Sequence, residues 1–181
     1  MFRDDFIWGV AASAYQTEGH DKDDGAGENI WDVFIKEGKI TDGSDANIAC
    51  DMLHRYKEDF AIMKIMGIKA YRFSMSWSRL IPDGIGKVNE KAVSFYRDML
   101  KSMKENGIRP FITLFHWEYP LALEEKGGWV NPESSKWFEK YAEVVAENFS
   151  DLCDDFITFN EPQCTISLGL VNGVHAPGKK L

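Results

Sequence analysis

Toward its carboxy-terminal end the chain runs through Phe156-Ile-Thr-Phe159 into Asn160, Glu161 and Pro162. Proline has no amide hydrogen for a β-ladder and biases the residue before it, so a strand ending there stops at two polar side chains. Asn160 and Glu161 are therefore expected at a strand end. A carboxyl set beside Phe159 and Pro162 is expected to lie against aromatic walls, where burial favours the protonated form and fits it to act as a general acid. An isolated glutamate would more simply be paired with an arginine. The catalytic reading leads here because His116 and Trp117 close a neighbouring apolar run.

Bringing those residues together needs a repeated scaffold. Segments 64–75 and 104–115 share one plan: a helix end, Gly67 or Gly107, an isoleucine and a basic residue, then an apolar run. Glycine after the last helical turn supplies a left-handed cap, and the strand follows at once. Ahead of Gly67, apolar residues recur at helical steps (Ala49, Leu53, Tyr56, Phe60, Met63, Met66); Ala92, Tyr96, Met99 and Met103 do the same ahead of Gly107, with Asn89 as N-cap. A third helix is expected to start at a cap on Asn131, with Pro132 in its first turn, and to bury Phe138, Tyr141, Val145, Phe149 and Leu152.

Strands are expected over 6–13, 70–75, 110–115 and 155–160, each without a clean polar face, as for parallel strands covered on both sides. Every strand ends in a polar or aromatic cluster: Tyr15-Gln16, Ser76-Trp77-Ser78, His116-Trp117-Glu118 and Asn160-Glu161. The opposite turns carry only Gly and Ile. That asymmetry marks the functional face of a (β/α)8 barrel, and the first strand lacks the glycine fingerprint of a nucleotide-binding sheet. A whole barrel takes about 250 residues, so four strands in 181 residues predict an α/β half-barrel, a single (β/α)4 unit spanning 1–181.

Composition narrows the partners. A net charge of −8 argues against a nucleic-acid backbone, and Lys179-Lys180 is too short to be a basic tract. Cys50, Cys153 and Cys164 are odd in number and widely spaced, which points to reduced thiols in a cytoplasmic protein and away from a zinc site. The segment 6–15 mimics an export signal, but Arg3-Asp4-Asp5 cancels the positive charge such a signal needs; a buried strand is expected there. No run reaches transmembrane length, so no membrane partner is expected, and nothing suggests a metal or organic cofactor.

The ordered set Phe6-x-Trp-Gly-x-Ala-x-Ser-Ala-Tyr-Gln-x-Glu-Gly19, Ile30-Trp-Asp32, His54-Arg-Tyr-x-Glu-Asp59, Tyr71-Arg-Phe-Ser-x-Ser-Trp-Ser-Arg79, Thr113-Leu-Phe-His-Trp117, Gly127-Gly-Trp-x-Asn131 and Thr158-Phe-Asn-Glu-Pro162 resembles the amino-terminal half of the family 1 β-glycosidases, the β-glucosidase and 6-phospho-β-glucosidase group. The resemblance implies a retaining hydrolase on a (β/α)8 barrel. It implies that Glu161 is the general acid/base and that Asn160 bonds the sugar 2-hydroxyl. It further implies that Gln16 and His116 bind sugar hydroxyls, that Trp117 supports their pocket, and that Arg72 lies beside the nucleophile. On pattern alone Trp77, Trp117 and Trp129 are as readily packing residues. The chain departs from the family with Glu118-Tyr119 where Asp-Leu is usual, and Phe156 where Trp is usual.

The family's nucleophile motif, Thr-Glu-Asn-Gly, is absent from these residues. Retention needs two carboxylates roughly 5 Å apart, and this chain offers one. Two arrangements follow: a complementary half-barrel chain that brings the nucleophile, or a homodimer of half-barrels that binds sugar without cleaving it. In a two-fold ring Glu118 would stand near the place of the missing nucleophile.

Overall fold

The computed structural model of the chain describes residues 2–20 and 23–181. The elements follow in order: β1 (Gly9–Ala11), α1 (Ala14–Thr17), α2 (Ile30–Lys36), α3 (Met52–Ile65), β2 (Ala70–Ser74), α4 (Trp77–Leu80), α5 (Glu90–Glu105) and β3 (Arg109–Phe115). After them come α6 (Leu121–Glu124), a 3-10 turn at Gly128–Val130, α7 (Ser134–Phe149), β4 (Phe156–Phe159), α8 (Pro162–Cys164) and a π-helical stretch, Thr165–Val171. The four strands form one sheet in the order β1-β2-β3-β4, every pair parallel, with Gly9 opposite Ala70, Ala70 opposite Arg109 and Phe115 opposite Phe159. Strands in sequence order with helical crossovers make half of a (β/α)8 barrel.

Alternation along β2 divides the two faces of the sheet. Tyr71, Phe73 and Met75 enter the core shared with α3, α5 and α7, where Phe60, Tyr96, Tyr141, Val145 and Phe149 are fully buried. Arg72, between Tyr71 and Phe73, is sent to the other face. The Tyr141 hydroxyl pins α7 to the sheet by donating to the Leu114 carbonyl at 2.9 Å.

The repeated helix-to-strand joint is built twice in the same way. Gly67 (φ 77°) and Gly107 (φ 72°) are both left-handed, and the isoleucine after each donates its amide to a methionine carbonyl five residues back, Ile68 to Met63 at 3.0 Å and Ile108 to Met103 at 2.9 Å. That six-to-one bond is the Schellman closure expected of a glycine cap. Asn89 caps α5 as foreseen, its side chain accepting the Lys91 amide at 3.2 Å.

Three expectations need correction. The first strand is three residues long instead of eight, and it is exposed: Phe6 and Trp8 keep 46% and 52% of their surface. Among the described residues β1 is an edge strand paired only with β2 and exposed along its length, and β4 at the other edge is likewise only partly covered. The stripe before Gly67 is also shifted, since α3 buries Met52, Tyr56 and Phe60 while Ala49 precedes the helix and Met66 is exposed. Finally, α7 begins at Ser134: Asn131 accepts the Glu133 amide at 2.9 Å and donates to the Lys126 carbonyl at 2.7 Å, so it holds a turn around Pro132 that ends before the helix starts.

A Cβ at Gly107 would meet nothing within 4 Å, so only its positive φ demands glycine. Gly107→Ala is expected to lower unfolding free energy by about 1 kcal/mol and Gly107→Asn by less, because asparagine tolerates the left-handed region. Urea denaturation of the two variants checks the order.

Candidate active site

The residues at the strand ends are tied together by one guanidinium. Arg72, on β2, donates from Nε to Thr113 Oγ1 on β3 at 2.9 Å and from Nη2 to Asn160 Oδ1 just past β4, also at 2.9 Å. The bond to Arg72 fixes which end of the Asn160 amide is oxygen and leaves its Nδ2 hydrogens available. From the third strand, the Trp117 indole donates to the Asn160 carbonyl at 2.9 Å. Arg72 pairs with no carboxylate among the described residues.

Trp117 and Glu161 both adopt left-handed backbone, at φ 69° and 43°. Such conformations in non-glycine residues cost of order 1–3 kcal/mol and persist where their surroundings over-determine them. For Trp117 those surroundings are visible: the Trp31 indole donates to its carbonyl at 2.9 Å, and the His175 ring lies 5.5 Å from its own ring and 5.6 Å from that of Trp31. Trp31 is delivered by the start of α2, where Asn29 and Asp32 form a reciprocal capping box.

Gln16, His116 and Trp117 line a common cavity of about 340 Å³ with Tyr15 and Trp31. Burial, reinforced by the Arg72 charge and opposed by Glu161, holds the His116 pKa down at about 4, so the ring is neutral at pH 7. Its Nδ1 is buried and makes no hydrogen bond. A neutral imidazole offers one donor and one acceptor, the pairing a hydroxyl needs. Glu161 does not line this cavity, although its charge acts on His116. Its side chain is exposed, so the aromatic pocket foreseen for it is not formed by these residues; φ 43° turns it off the end of β4 and away from Phe159. Among the described residues no group of three or more His, Cys, Asp or Glu is arranged to hold a metal ion.

With this geometry stand the likenesses to known proteins. The model of glycosyl hydrolase family 1 matches residues 1–181. The chain belongs to glycosyl hydrolase family 1. Beta-glucosidase A of Acetivibrio thermocellus is 49% identical over 180 residues and Beta-glucosidase A of Thermotoga maritima 46%, each match covering 99% of this chain and 40% of the relative. The structure of the Thermotoga maritima beta-glucosidase in complex with castanospermine superimposes with a TM-score of 0.96 at 45% identity, over 99% of this chain and 41% of that one. The chain thus spans about two fifths of the length of these relatives.

Within this family scaffold several motif residues prove to be architectural. Trp77 is fully buried, stacked 4.5 Å from Tyr141 with its indole donating to the Gly84 carbonyl at 2.8 Å. Trp129 packs against Phe115, Tyr119 and Phe159. Trp117 alone of the three borders the cavity that holds Gln16 and His116. Glu18 and Arg79, from two of the family-like motifs, form a buried ion pair at 3.0 Å, with the Tyr96 hydroxyl donating to Glu18 at 2.7 Å. Trp31 and His175, which hold Trp117, escaped sequence reasoning as site residues; Trp31 lay in a quoted motif, but nothing local to His175 distinguishes it.

Glu118 does not stand where a replacement nucleophile would. It is 5% exposed, and its carboxylate accepts the Trp77 amide at 2.8 Å, the Ser78 amide at 3.3 Å and the Ser78 hydroxyl. The start of α4 takes up its oxygens and turns it inward. Burial lifts its pKa to about 7 against the pull of bonds from Ser78, Ser76 and Trp77. Because the folded value lies above the 4.5 of a free glutamate side chain, the folded state holds the proton more tightly. The stabilisation is full below pH 4.5 and is lost as pH rises through 7, to a total on the order of 3 kcal/mol. Glu118→Gln removes this titration. The variant's stability relative to the parent is expected to improve steadily between pH 5 and 8, as measured by urea melts at each pH.

Proposed function

We propose that the chain carries the acid/base half of a retaining β-glycosidase of the β-glucosidase type and works as one (β/α)4 unit over residues 1–181. The observation that carries this reading is the Arg72–Asn160 tie beside Glu161, held by a guanidinium with no carboxylate partner among the described residues. In this reading Glu161 gives its proton to the leaving glycosidic oxygen and later takes one from water. Asn160, its oxygen engaged by Arg72, donates from Nδ2 to the sugar 2-hydroxyl. Gln16 and neutral His116 hold other hydroxyls, and Trp117 walls the pocket. Arg72 is the group beside which a nucleophilic carboxylate would be stabilised as an anion. That carboxylate, roughly 5 Å from Glu161 in a retaining enzyme, comes from outside these residues, on a complementary half-barrel.

Both sheet edges support a partner. Large apolar side chains are exposed at both edges: Val10 on β1 with Phe6, Ile7 and Trp8 just before it, and Phe156 on β4 with Ile166 beyond it; among the described residues each of these strands has one neighbour. A second copy of this chain would meet the same edges, giving a sugar-binding homodimer; a native mass of two chains with glucose binding and no turnover is the signature of that arrangement. Among the described residues no helix is long and apolar enough to cross a membrane. The free thiols Cys50, Cys153 and Cys164 support placing the protein in the cytoplasm.

Co-expression with a polypeptide that carries a Thr-Glu-Asn-Gly segment and the remaining strands is expected to yield aryl-β-glucoside hydrolysis that the lone chain lacks. Glu161→Gln should lower that activity by 10²- to 10⁴-fold. The loss should be smallest for a dinitrophenyl leaving group, which departs with little protonation. No gain over the lone chain, or an equal loss for good and poor leaving groups, removes the acid role.

A further inference from the structure

Glu161 enters the strand end with a left-handed backbone, an exposed side chain and, among the described residues, a single hydrogen-bonding partner. That partner is Cys164, whose Sγ lies 3.7 Å from Glu161 Oε2. The contact follows from the local fold. Pro162 starts α8, the Cys164 amide donates to the Glu161 carbonyl at 2.9 Å, and one turn of helix sets the side chain of residue 164 over that of residue 161. We propose that Cys164 is a positioning residue for Glu161, its S–H donating to Oε2 and holding the carboxylate in one orientation at the strand end.

On its other side Cys164 lines a small recess together with Trp31, Trp117, Thr165 and His175, the rings that border the sugar-side cavity among them. The charged groups at that space are engaged elsewhere: Glu124 pairs with Lys179, and the His175 ring lies against Trp31 and Trp117. Glu161 is therefore the acceptor that faces the thiol. Desolvation first, and then the Glu161 charge and hydrogen bond, keep the Cys164 pKa above the ordinary thiol value, which leaves the S–H proton in place at neutral pH.

The residue type suits the proton traffic of the proposed function, on which this step rests. An acid/base must be protonated in one half of the cycle and ionised in the other. A lysine or arginine at this position would hold the carboxylate ionised. A thiol is a weak, uncharged donor, so it orients the carboxylate when the proton has gone and presents little resistance to its return.

Energetic coupling between two groups is reciprocal, so the thiol reports the bond without substrate or partner. Alkylation by iodoacetamide, followed across pH 6.5 to 10 by peptide mass spectrometry of the full chain, reads the thiolate fraction at each cysteine. In Glu161→Gln the Cys164 profile is expected to move to lower pH, with alkylation at pH 8 roughly threefold faster. Exposed Cys50 should be unchanged, and buried Cys153 should stay protected and so report the fold. Identical Cys164 profiles in parent and variant overturn the proposal. Should the glutamine variant expose Cys153, Glu161→Asp decides: it keeps the charge and withdraws it by one methylene, so a profile between parent and glutamine variant supports the bond and one superimposed on the parent overturns it. A failed complementation assay would leave this coupling standing, and a failed coupling would leave the acid role of Glu161 standing.

Discussion

One side chain crosses three strands. Arg72 leaves β2 on the face away from the helices, bonds Thr113 on β3 and reaches Asn160 beyond β4. A planar guanidinium has several donors in fixed directions, so engaging two acceptors on different strands also fixes the relative position of those strands. Lysine could satisfy one acceptor but not this geometry. The orientation of the Asn160 amide, the anchoring of the Trp117 indole on the Asn160 carbonyl and the departure angle of Glu161 are all downstream of that tie. The same tie leaves a half-buried positive charge with only neutral acceptors, a condition that favours an approaching anion.

Beneath this layer lies a second, more deeply buried polar network. Glu18, Arg79, Tyr96 and Ser76 form a chain in which the Tyr96 hydroxyl accepts the Ser76 amide at 2.8 Å and donates to Glu18 at 2.7 Å. Arg79 also pairs with Asp24 and donates to the Gly19 carbonyl at 2.7 Å. Breaking one member of such a buried network strands the others without solvent, which costs more than the intact pairs contribute. Its work is therefore to fix loops. It ties the segment between α1 and α2 to α4 and α5, while Glu118 ties the end of β3 to α4, and Gln16 and His116 reach one cavity from after strands that are not neighbours.

Much of this could be read before any coordinates. The paired glycine joints at Gly67 and Gly107 announced a repeated helix–strand unit because a left-handed cap needs a residue without Cβ, and that requirement is local. The strand-end clusters announced the functional face because proline and polar residues must end a ladder. Less legible was anything that depends on neighbours distant in sequence. The exposure of Phe6 and Trp8 follows from β1 lying at an edge, and no periodicity encodes edge position. Glu118 and Trp77 sit in the same kind of strand-end cluster as His116, yet they turn inward because α4 offers amide donors and Tyr141 a stacking surface. His175 reaches Trp117 across nearly sixty residues of chain, a distance at which spacing carries no signal.

The exposure of Glu161 divides the labour of the site. Orientation is supplied from within these residues, by the αL turn, Pro162 and the contacts around Asn160. Desolvation is not: Phe159 is directed into the core with Phe115, Phe138 and Trp129, away from the carboxylate that follows it. A general acid working near neutrality requires a low-dielectric wall as well as a fixed direction. On the proposed reading the complementary half-barrel then has two things to bring to the same place, a second carboxylate beside Arg72 and an apolar surface over Glu161. On that reading neither suffices alone, since the glycosyl-enzyme intermediate needs the carboxylate and proton transfer to the leaving oxygen needs a site closed to water.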